Sequence, residues 1–449
     1  MGATMFGLMR HTQNGLLADV AALYGIHLAS YLLPLALIPF LARTLGPDGW
    51  GRLALAQALT GILAVLVEYG FHLSATREVA RLRDDIGARS ELIAGVVGGK
   101  SLLALCGFGI AIATAVWIPA LGEQPRLVVM ATLAGLAQAY SVVWYFQGMG
   151  RLGEAAFVEL SCKLLAAGLI FLSIREPSDV WKVPGIQAAT TLLSFGFLAS
   201  VAFRENRIVA PTLATALNRL NRGWSIFLLR GATTLYTAAN PFLLGLFVRP
   251  EFVGYFAGAE KTSRACTSLL QPMSLVLYPR LSRLTQTSRR EAEDLIRWSL
   301  WTMGVAGILI ASGLALAAPL IVSLVLGPGY EPTVPALRLL ALLVPLTAVS
   351  NVLGMQWMLP LGLERALNAL VIGAGLLNIL LGALLAPQFA HMGMATAVVV
   401  SEAAVTAGIL VILSQRRLLP KFGFREAKQS EGITAGVEPS GAELVSKDF

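Results

Sequence analysis

Three ionisable side chains, Glu260, Lys261 and Arg264, stand close together in a segment of mostly small and apolar residues. On a helix, Glu260 and Arg264 lie four residues apart and can form an ion pair, while Lys261 and Arg264 lie three apart. One acid and two bases leave a net charge of +1, which an anion would neutralise. A diphosphate suits them because a guanidinium binds phosphate as a planar fork and an ammonium as a point charge. The pattern predicts an anion site, and an ion pair that only holds helices together is the structural alternative.

A second polar group precedes these residues in the sequence. Arg230, Thr234 and Thr237 share one face of a predicted helix, and Asn240 follows directly before a proline. Polar groups inside a membrane tend to face the bundle interior, so Arg230 and Asn240 are candidates for the same anion site. Arg230 also lies near the end of its apolar segment, where its long side chain could instead extend to the membrane surface.

An aromatic and polar stripe lies near the N-terminus. Tyr24, His27 and Tyr31 follow each other at a spacing that places them on one helix face. Aromatic rings with a polar group suit the faces of sugars, so His27 and Tyr31 are candidate substrate-binding residues. The alternative is a pair of tyrosines at the membrane interface, beside a histidine whose hydrogen bonds are satisfied within the bundle.

Two acids are candidates for coupling transport to an ion. Glu68 lies four residues before His72, and Glu402 stands alone in an apolar segment. Ionisable groups inside a membrane are rare and often belong to proton or ion pathways, so either acid could take up a proton or a sodium ion. The structural alternatives are a Glu68–His72 pair and a hydrogen bond from Asn368 or Asn378 to Glu402.

These side chains require membrane-spanning helices to position them. Of the 449 residues, 56% are hydrophobic and 13% are charged, whereas a soluble domain has about 25% charged residues. The apolar segments reach the roughly 20 residues needed to cross a hydrocarbon core about 30 Å thick. The sequence therefore predicts an all-α, polytopic membrane protein. We expect about twelve spans, near residues 16–42, 51–76, 91–118, 126–147, 154–174, 183–203, 223–248, 252–278, 295–317, 334–359, 365–386 and 393–415.

The basic residues predict the orientation of these spans. With the N-terminus in the cytoplasm, the cytoplasmic loops and the C-terminal tail contain most of the 34 lysine and arginine residues. Loops rich in these residues stay on the cytoplasmic side, so we expect both termini there. The net charge of +8 then reflects membrane topology, and it does not indicate a nucleic-acid partner.

An internal repeat predicts two related halves. The segments 47–56 and 250–259 open the second and eighth predicted spans, and both read Pro-acid-x-x-Gly-x-x-Ala-x-Ala. Parallel repeats related by an axis along the membrane normal are a transporter architecture, with the site between the halves near the midplane. We expect two pseudo-symmetric six-helix lobes with a connection and a disordered cytoplasmic tail. The expected boundaries are 1–203 and 223–419 for the lobes, 204–222 for the cytoplasmic connection and 420–449 for the tail.

Several kinds of chemistry lack support in the sequence. It has no GxxxxGK[ST] nucleotide loop, no HExxH zinc motif and no GxSxG motif in a suitable context. Cys106, Cys162 and Cys266 lie in or beside apolar segments without CxxC spacing, so neither a disulfide nor a metal site is indicated. The predicted loops are short and mostly basic, while an enzyme would need acids and histidines at the membrane surface. We therefore expect a carrier that is not an enzyme and needs no cofactor.

Four motifs in sequence order carry a resemblance to a known family. They are YLLP at 31–34 continuing to IPFLARTLGPDGWG at 38–51, YGFHLSATRE at 69–78, WYFQGMG at 144–150 and LYPRL at 277–281. Together they resemble the polysaccharide-transporter branch of the multidrug/oligosaccharidyl-lipid/polysaccharide exporter superfamily, the O-antigen flippase type. The resemblance covers residues 20–415 and is strongest in the first 165 residues.

The resemblance implies two six-helix lobes around a central cationic cavity that alternates between the two sides of the membrane. It also implies that an undecaprenyl-diphosphate-linked oligosaccharide crosses the bacterial inner membrane for O-antigen or exopolysaccharide synthesis, beside a polymerase and a chain-length regulator. Basic residues line the cavity in this family, and Lys261, Arg264 and Arg230 fit that role. Two other functions remain open, namely a multidrug or small-solute antiporter of the same superfamily and a membrane enzyme acting on lipid-linked sugars. Lys261 and Arg264 disfavour the first because they attract anions, and the short outer loops disfavour the second.

Overall fold

The chain folds into helices, as its apolar segments predict. A computed structural model describes residues 3–221, 223–224, 227 and 239–420, with side chains described from residue 33 onward except at positions 34 and 275. No β-strand occurs among these residues. The predicted all-α membrane fold is therefore confirmed. Residues 421–449, which hold almost all of the predicted tail, lie outside the described residues.

Up to residue 204, the N-terminal half contains eight α-helices and one 3-10 helix among the described residues, and residues 213–221 are helical as well. They are α1 (Ala3–Glu68), α2 (Phe71–Arg81), α3 (Ile86–Trp117), α4 (Pro119–Gly122), α5 (Pro125–Ala139), α6 (Val143–Gly148), α7 (Leu152–Ser173), the 3-10 helix (Pro177–Trp181) and α8 (Lys182–Arg204). Helix α1 ends at a turn in which Gly70 has a φ of 79°, a left-handed conformation that glycine adopts without strain. Asp85 precedes helix α3, and its carboxylate accepts a hydrogen bond from the Ala88 N–H and so caps the helix.

The C-terminal half, from residue 239, contains the following helices. They are α9 (Asn240–Gly245), α10 (Pro250–Ser268), α11 (Gln271–Thr287), α12 (Arg289–Leu316), α13 (Ala318–Val325), α14 (Thr333–Leu340), α15 (Leu343–Ser350), a π-helix (Asn351–Met358) and α16 (Glu364–Gln415). Proline occupies the first turn of α9, α10, α11 and α13, where its missing N–H is not needed. The Ser288 hydroxyl accepts from the Glu291 N–H and caps α12.

Eight helical segments of the described residues are long and apolar enough to cross a membrane. Two of them are interrupted by one residue with non-helical backbone angles, Gly46 (φ 68°, ψ 176°) in α1 and Ala390 (φ 47°, ψ −129°) in α16. Helix α16 has 52 residues. At 1.5 Å per residue it would be about 78 Å long if straight, more than twice the core thickness. The protein is thus a multi-pass membrane protein, and the number of twelve spans stays a prediction.

The two repeated segments found in the sequence pack against each other. Helix α10 crosses the part of α1 that follows Gly46, and the contact is so close that a Cβ atom on Gly51 would lie 1.8 Å from the Pro250 carbonyl oxygen. Reciprocally, a Cβ atom on Gly254 would lie 2.2 Å from the Pro47 carbonyl oxygen. Each proline thus meets the glycine of the other repeat, as a local two-fold axis requires. Small residues let the two backbones approach this closely.

Two further contacts between the halves lie beside this crossing. The buried Tyr330 phenol donates a hydrogen bond to the Ala42 carbonyl oxygen at 2.9 Å. Burial raises the pKa of Tyr330, so the phenol remains a protonated donor. The Arg43 guanidinium donates to the carbonyl oxygens of Ser323 and Leu324, near the end of α13. The repeats and these two side chains therefore join the halves at one end of the bundle, and we call this set of contacts the junction.

Candidate functional site

A cavity of about 1580 Å³ lies between the two halves of the chain. Its walls come from α1, α5, α7 and α8 on the N-terminal side and from α10, α15 and α16 on the C-terminal side. It begins next to the junction, where Ile38, Leu41 and Trp50 line it. Pockets for drug-sized molecules have volumes of about 300–1000 Å³. The cavity is therefore large enough for a larger, partly polar ligand, in the place where the repeat predicts a site.

Lys261 lines this cavity and extends from α10 to the other half of the protein. Its ammonium donates a hydrogen bond to the Gln57 side-chain oxygen at 2.6 Å and lies 4.5 Å from the centre of the Trp50 ring. Both partners belong to α1 and neither carries a charge. A cation over an indole ring is attracted by the negative face of the ring, but its charge is not cancelled. Among the described residues, Lys261 therefore contributes a positive charge that no ion pair neutralises.

Arg264 forms the predicted ion pair with Glu260. The Arg264 Nη2 atom lies 2.9 Å from Glu260 Oε1, and the Arg264 side chain is 47% exposed toward the cavity, against 7% for Glu260. The buried carboxylate also accepts a hydrogen bond from Asn240 Nδ2 at 3.1 Å. Asn240 in turn accepts from Asn378 Nδ2 at 2.7 Å. This buried chain of hydrogen bonds fixes the carboxylate and holds the guanidinium at the cavity wall, because a buried charge must be both paired and hydrogen-bonded.

The predicted residues around Lys261 thus have two different positions. Lys261 and Arg264 line the cavity. Glu260 and Asn240 lie behind them as buried supports that are 6% and 1% exposed. One carboxylate against two cations leaves the net charge of +1 that the sequence predicts. This part of the cavity wall thus has the charge on which the predicted anion site depends, and the site itself stays a prediction.

The two predicted ion-coupling acids lie in different surroundings. Glu402 lines the cavity from α16 and accepts a hydrogen bond from the Ser350 hydroxyl at 2.8 Å. Glu68 is at the end of α1, where it pairs with His72 Nδ1 at 2.8 Å and accepts from the His72 N–H. Glu68 is not among the residues that line the cavity. The contacts of Glu68 therefore favour a structural role at the turn between α1 and α2.

Three predicted substrate-binding residues cannot be placed. The side chains of His27 and Tyr31 and the whole of Arg230 lie outside the described residues. Their assignment to a sugar or anion site stays a prediction.

The cavity also includes polar residues that the sequence analysis did not assign to a binding site. Glu159 and Lys163 on α7 are examples, as is Asn351 at the start of the π-helix. Asn351 accepts from the Ser274 hydroxyl at 3.1 Å, and the fully buried Gln356 donates to the same hydroxyl at 3.1 Å. A π-helix is rare and often marks a functional site, but it cannot be recognised from residue types alone. Its polar network therefore became visible only in the structure.

Known proteins resemble this chain in sequence over most of its length. The sequence model of the family described as "Polysaccharide biosynthesis protein" matches residues 16–285. A protein of Escherichia coli (strain K12) named "Putative O-antigen transporter" is 28% identical over 393 residues, which are 87% of this chain and 95% of that protein. A protein of the same name from Shigella dysenteriae is 25% identical over 393 residues, with 86% and 96% covered. The likeness therefore includes both halves of the chain.

Two solved structures share the fold. Lipid II flippase MurJ in its inward closed conformation superposes with a TM-score of 0.72 at 11% identity, covering 89% of this chain and 87% of that one. A multidrug resistance MATE family transporter of the MOP superfamily, in its inward-facing conformation, superposes with a TM-score of 0.64 at 14% identity, covering 86% and 94%. At such low identity the likeness concerns the fold alone. The helices of this chain are arranged as in these transporters.

Proposed function

The chain belongs to the polysaccharide biosynthesis protein family, and from this premise we propose that it is a flippase for a lipid-linked oligosaccharide. The substrate would be an undecaprenyl-diphosphate-linked oligosaccharide, moved across the bacterial inner membrane by alternating access for O-antigen or exopolysaccharide synthesis. The resemblance read from the sequence motifs is thus a family relationship. The names of the E. coli and Shigella relatives support this class of cargo, and the MurJ-like fold suits it.

The observation that carries the proposal is the positive charge of Lys261 in a large cavity between the halves. Placing a charge inside a membrane protein is expensive, and such residues mark the pathways of substrates or ions. The ammonium has only neutral partners among the described residues, while Arg264 beside it is half-exposed. A diphosphate passing through the cavity would give Lys261 an anionic partner and Arg264 a second one beside Glu260.

An antiporter for cationic drugs is the alternative that Glu159 and Glu402 would favour, since both acids line the cavity. With the Arg264–Glu260 pair counted, the three cations Lys163, Lys261 and Arg264 face three carboxylates in and behind the lining. The preference for an anion is therefore local, at Lys261, whose partners among the described residues are neutral. A membrane enzyme acting on the same lipids is a second alternative, but the two relatives, matched over 95% and 96% of their own length, bear the names of transporters.

The proposal includes an orientation and partners. We expect both termini on the cytoplasmic side, which places the junction on the periplasmic side and seals the cavity there. Substrate would then enter from the cytoplasmic leaflet, and the junction would have to open for release. A polymerase and a chain-length regulator are the expected partners, since they use the product on the periplasmic side.

A deletion strain tests the proposal. Without the chain, lipid-linked oligosaccharide should accumulate in the inner leaflet, and surface polysaccharide should disappear. Re-expression of wild type should reverse both effects, whereas Lys261→Ala should lower the export rate about ten- to hundredfold, as expected for one charge-assisted contact of about 1.5–3 kcal/mol. Lys261→Arg should retain most of the export.

Lys182→Ala is the matched control, because it removes the same type of side chain outside the cavity. Lys182 is partly exposed and pairs with the buried Asp179 carboxylate at 2.5 Å, so Lys182→Ala controls for the loss of a lysine and its ion pair at a site that does not line the cavity. Normal export by Lys261→Ala at wild-type protein abundance would show that this charge does not serve the substrate. Absence of any accumulated lipid in the deletion strain would refute the flippase itself.

A further inference from the structure

The two walls of the cavity differ in chemistry. The C-terminal wall carries Lys261, Arg264 and Glu402, and the charges of the N-terminal wall are confined to Glu159 and Lys163 on α7. The lining residues of α5 and α8 are uncharged. The neutral polar residues of the N-terminal wall are Gln57, Thr60, Gln138, Ser141, Gln187, Thr190, Thr191 and Ser194. A diphosphate accounts for the cations on α10. It does not account for the uncharged polar lining of α5 and α8.

Four of these residues lie on two neighbouring helices, α5 and α8, where both line the cavity. Gln187, Thr191 and Ser194 stand at the i, i+4 and i+7 positions of α8, which lie on one helix face. Seven residues of helix cover about 10 Å along the axis. Helix α5 packs beside α8 and adds Gln138 one residue before its end. We call Gln138, Gln187, Thr191 and Ser194 the polar strip.

The two glutamines of the strip have unused hydrogen-bonding capacity. Both glutamines line the cavity, and neither side-chain amide has a hydrogen-bond partner among the described residues. Each amide can donate two hydrogen bonds and accept two. The nearby threonines behave differently, because the Thr60 hydroxyl donates to the Ala131 carbonyl oxygen at 3.0 Å and the Thr190 hydroxyl to that of Ile186 at 2.9 Å. Polar groups at membrane depth need partners, so the amides require water or a ligand inside the cavity.

We propose that the polar strip is a subsite for the glycan, separate from the cationic wall that receives the diphosphate. The inference rests on the proposed function and adds to it the residues that would contact the sugar. A sugar presents many hydroxyl groups and no charge, and amides and hydroxyls match it because they both donate and accept hydrogen bonds. Its polar groups would replace the water that otherwise satisfies the two amides.

This division of the cavity predicts that two classes of variant affect two parts of the substrate. Loss of Lys261 should weaken binding of every ligand that carries a diphosphate. Loss of the strip amides should weaken only ligands that also carry the glycan. Each lost neutral hydrogen bond should reduce affinity by about three- to tenfold. The double variant Gln138→Leu/Gln187→Leu should therefore lose about tenfold or more.

Binding by the purified full chain to two probes provides the test. The first probe is the lipid-linked oligosaccharide extracted from the deletion strain, and the second is undecaprenyl diphosphate without sugar. The double variant should bind the first probe at least about tenfold more weakly than wild type and the second with unchanged affinity. Gln415→Leu, the same substitution at the exposed last residue of α16, is the control and should bind both probes as wild type does.

Thr191→Val keeps the side-chain shape and supplies an independent variant if the glutamine changes impair folding. Thr191→Val should lower the affinity for the first probe about threefold to tenfold and leave the affinity for the second unchanged. The glycan subsite would be overturned if the strip variants lost affinity equally for both probes, or if they bound the first probe as tightly as wild type does. Either result would leave the flippase proposal intact. If wild type binds neither probe, both proposals are wrong.

Discussion

The crossing between the two repeats leaves no room for a side chain, and this makes Gly51→Ala and Gly254→Ala informative substitutions. At Gly51 the added Cβ would lie 1.8 Å from the Pro250 carbonyl oxygen, and at Gly254 it would lie 2.2 Å from that of Pro47. Ordinary contacts of a Cβ atom are 3.4 Å or longer. Because the opposing atoms belong to backbone, no side-chain rotation can relieve either clash. The two helices must move apart by more than about 1 Å.

The size of the effect follows from two opposing terms. Overpacking costs about 1–3 kcal/mol, and this contact is at the upper end because only backbone can yield. Alanine instead favours the helical state over glycine by up to about 1 kcal/mol. The clash therefore exceeds the gain, and we expect each variant to destabilise the junction by about 2 kcal/mol, which is a factor of roughly 30 in an equilibrium constant. The double variant should lose less than twice as much, since the separation forced by one alanine makes room for the other.

Thermal unfolding of the purified full chain in detergent measures this effect. Gly168→Ala on α7 is the matched control, because no atom lies within 4 Å of a Cβ placed there. It should unfold at the wild-type temperature or slightly above, and both junction variants should unfold below it. If Gly51→Ala and Gly254→Ala were as stable as Gly168→Ala, the two repeats would not pack as described. Strict additivity in the double variant would show that the two clashes are not relieved by one common movement.

Two other substitutions test polar contacts, one that joins the two halves and one that supports the cationic wall of the cavity. Tyr330→Phe removes the hydrogen bond to the Ala42 carbonyl oxygen and should lower the free energy of unfolding by about 1 kcal/mol without changing the shape of the ring; an unchanged unfolding temperature would contradict this. Asn378→Leu leaves the buried Asn240 side-chain oxygen without its donor and should cost about 1–3 kcal/mol. It should also weaken binding of undecaprenyl diphosphate, because Asn240 orients the Glu260 partner of Arg264. Asn368→Leu, at a half-exposed position of the cavity wall, should destabilise the protein less than Asn378→Leu does. Equal losses of stability in the two variants would argue against the buried chain of hydrogen bonds.

The helical elements could be predicted from hydropathy because lipid requires every backbone polar group to be bonded within its own segment. The predicted loops at 43–50 and 387–392 correspond to single interruptions, at Gly46 and Ala390. Glycine marks the first because its φ of 68° is unfavourable for other residues. At Ala390 the residue type itself gives no warning, but Pro387 three residues earlier and the lower hydropathy around it do. Hydropathy alone also cannot reveal how polar helices such as α10 are accommodated between the halves.

The pairing of Glu260 with Arg264 was predictable because it depends only on helix geometry, and it is confirmed. The contact of Lys261 with Gln57 was not, because 204 positions separate the two residues in sequence. The polar strip was missed for a different reason. Uncharged polar residues are common in membrane helices, so the spacing of Gln187, Thr191 and Ser194 becomes meaningful only when a cavity is seen next to that face.

The repeat explains how a nearly symmetric frame could acquire an asymmetric cavity. The spacing that aligns Pro47 with Pro250 and Gly51 with Gly254 also aligns Gln57 with Glu260, and it aligns Ala58 and Gly61 with Lys261 and Arg264. Positions that pack backbone against backbone are thus the same in both halves, since any side chain there would separate the helices. The positions one to three turns further along the two helices differ. On α1 they hold neutral or small residues, and on α10 they hold charged ones. A ligand with one charged and one uncharged polar part fits such a cavity in a single orientation, as a lipid diphosphate bearing a glycan would.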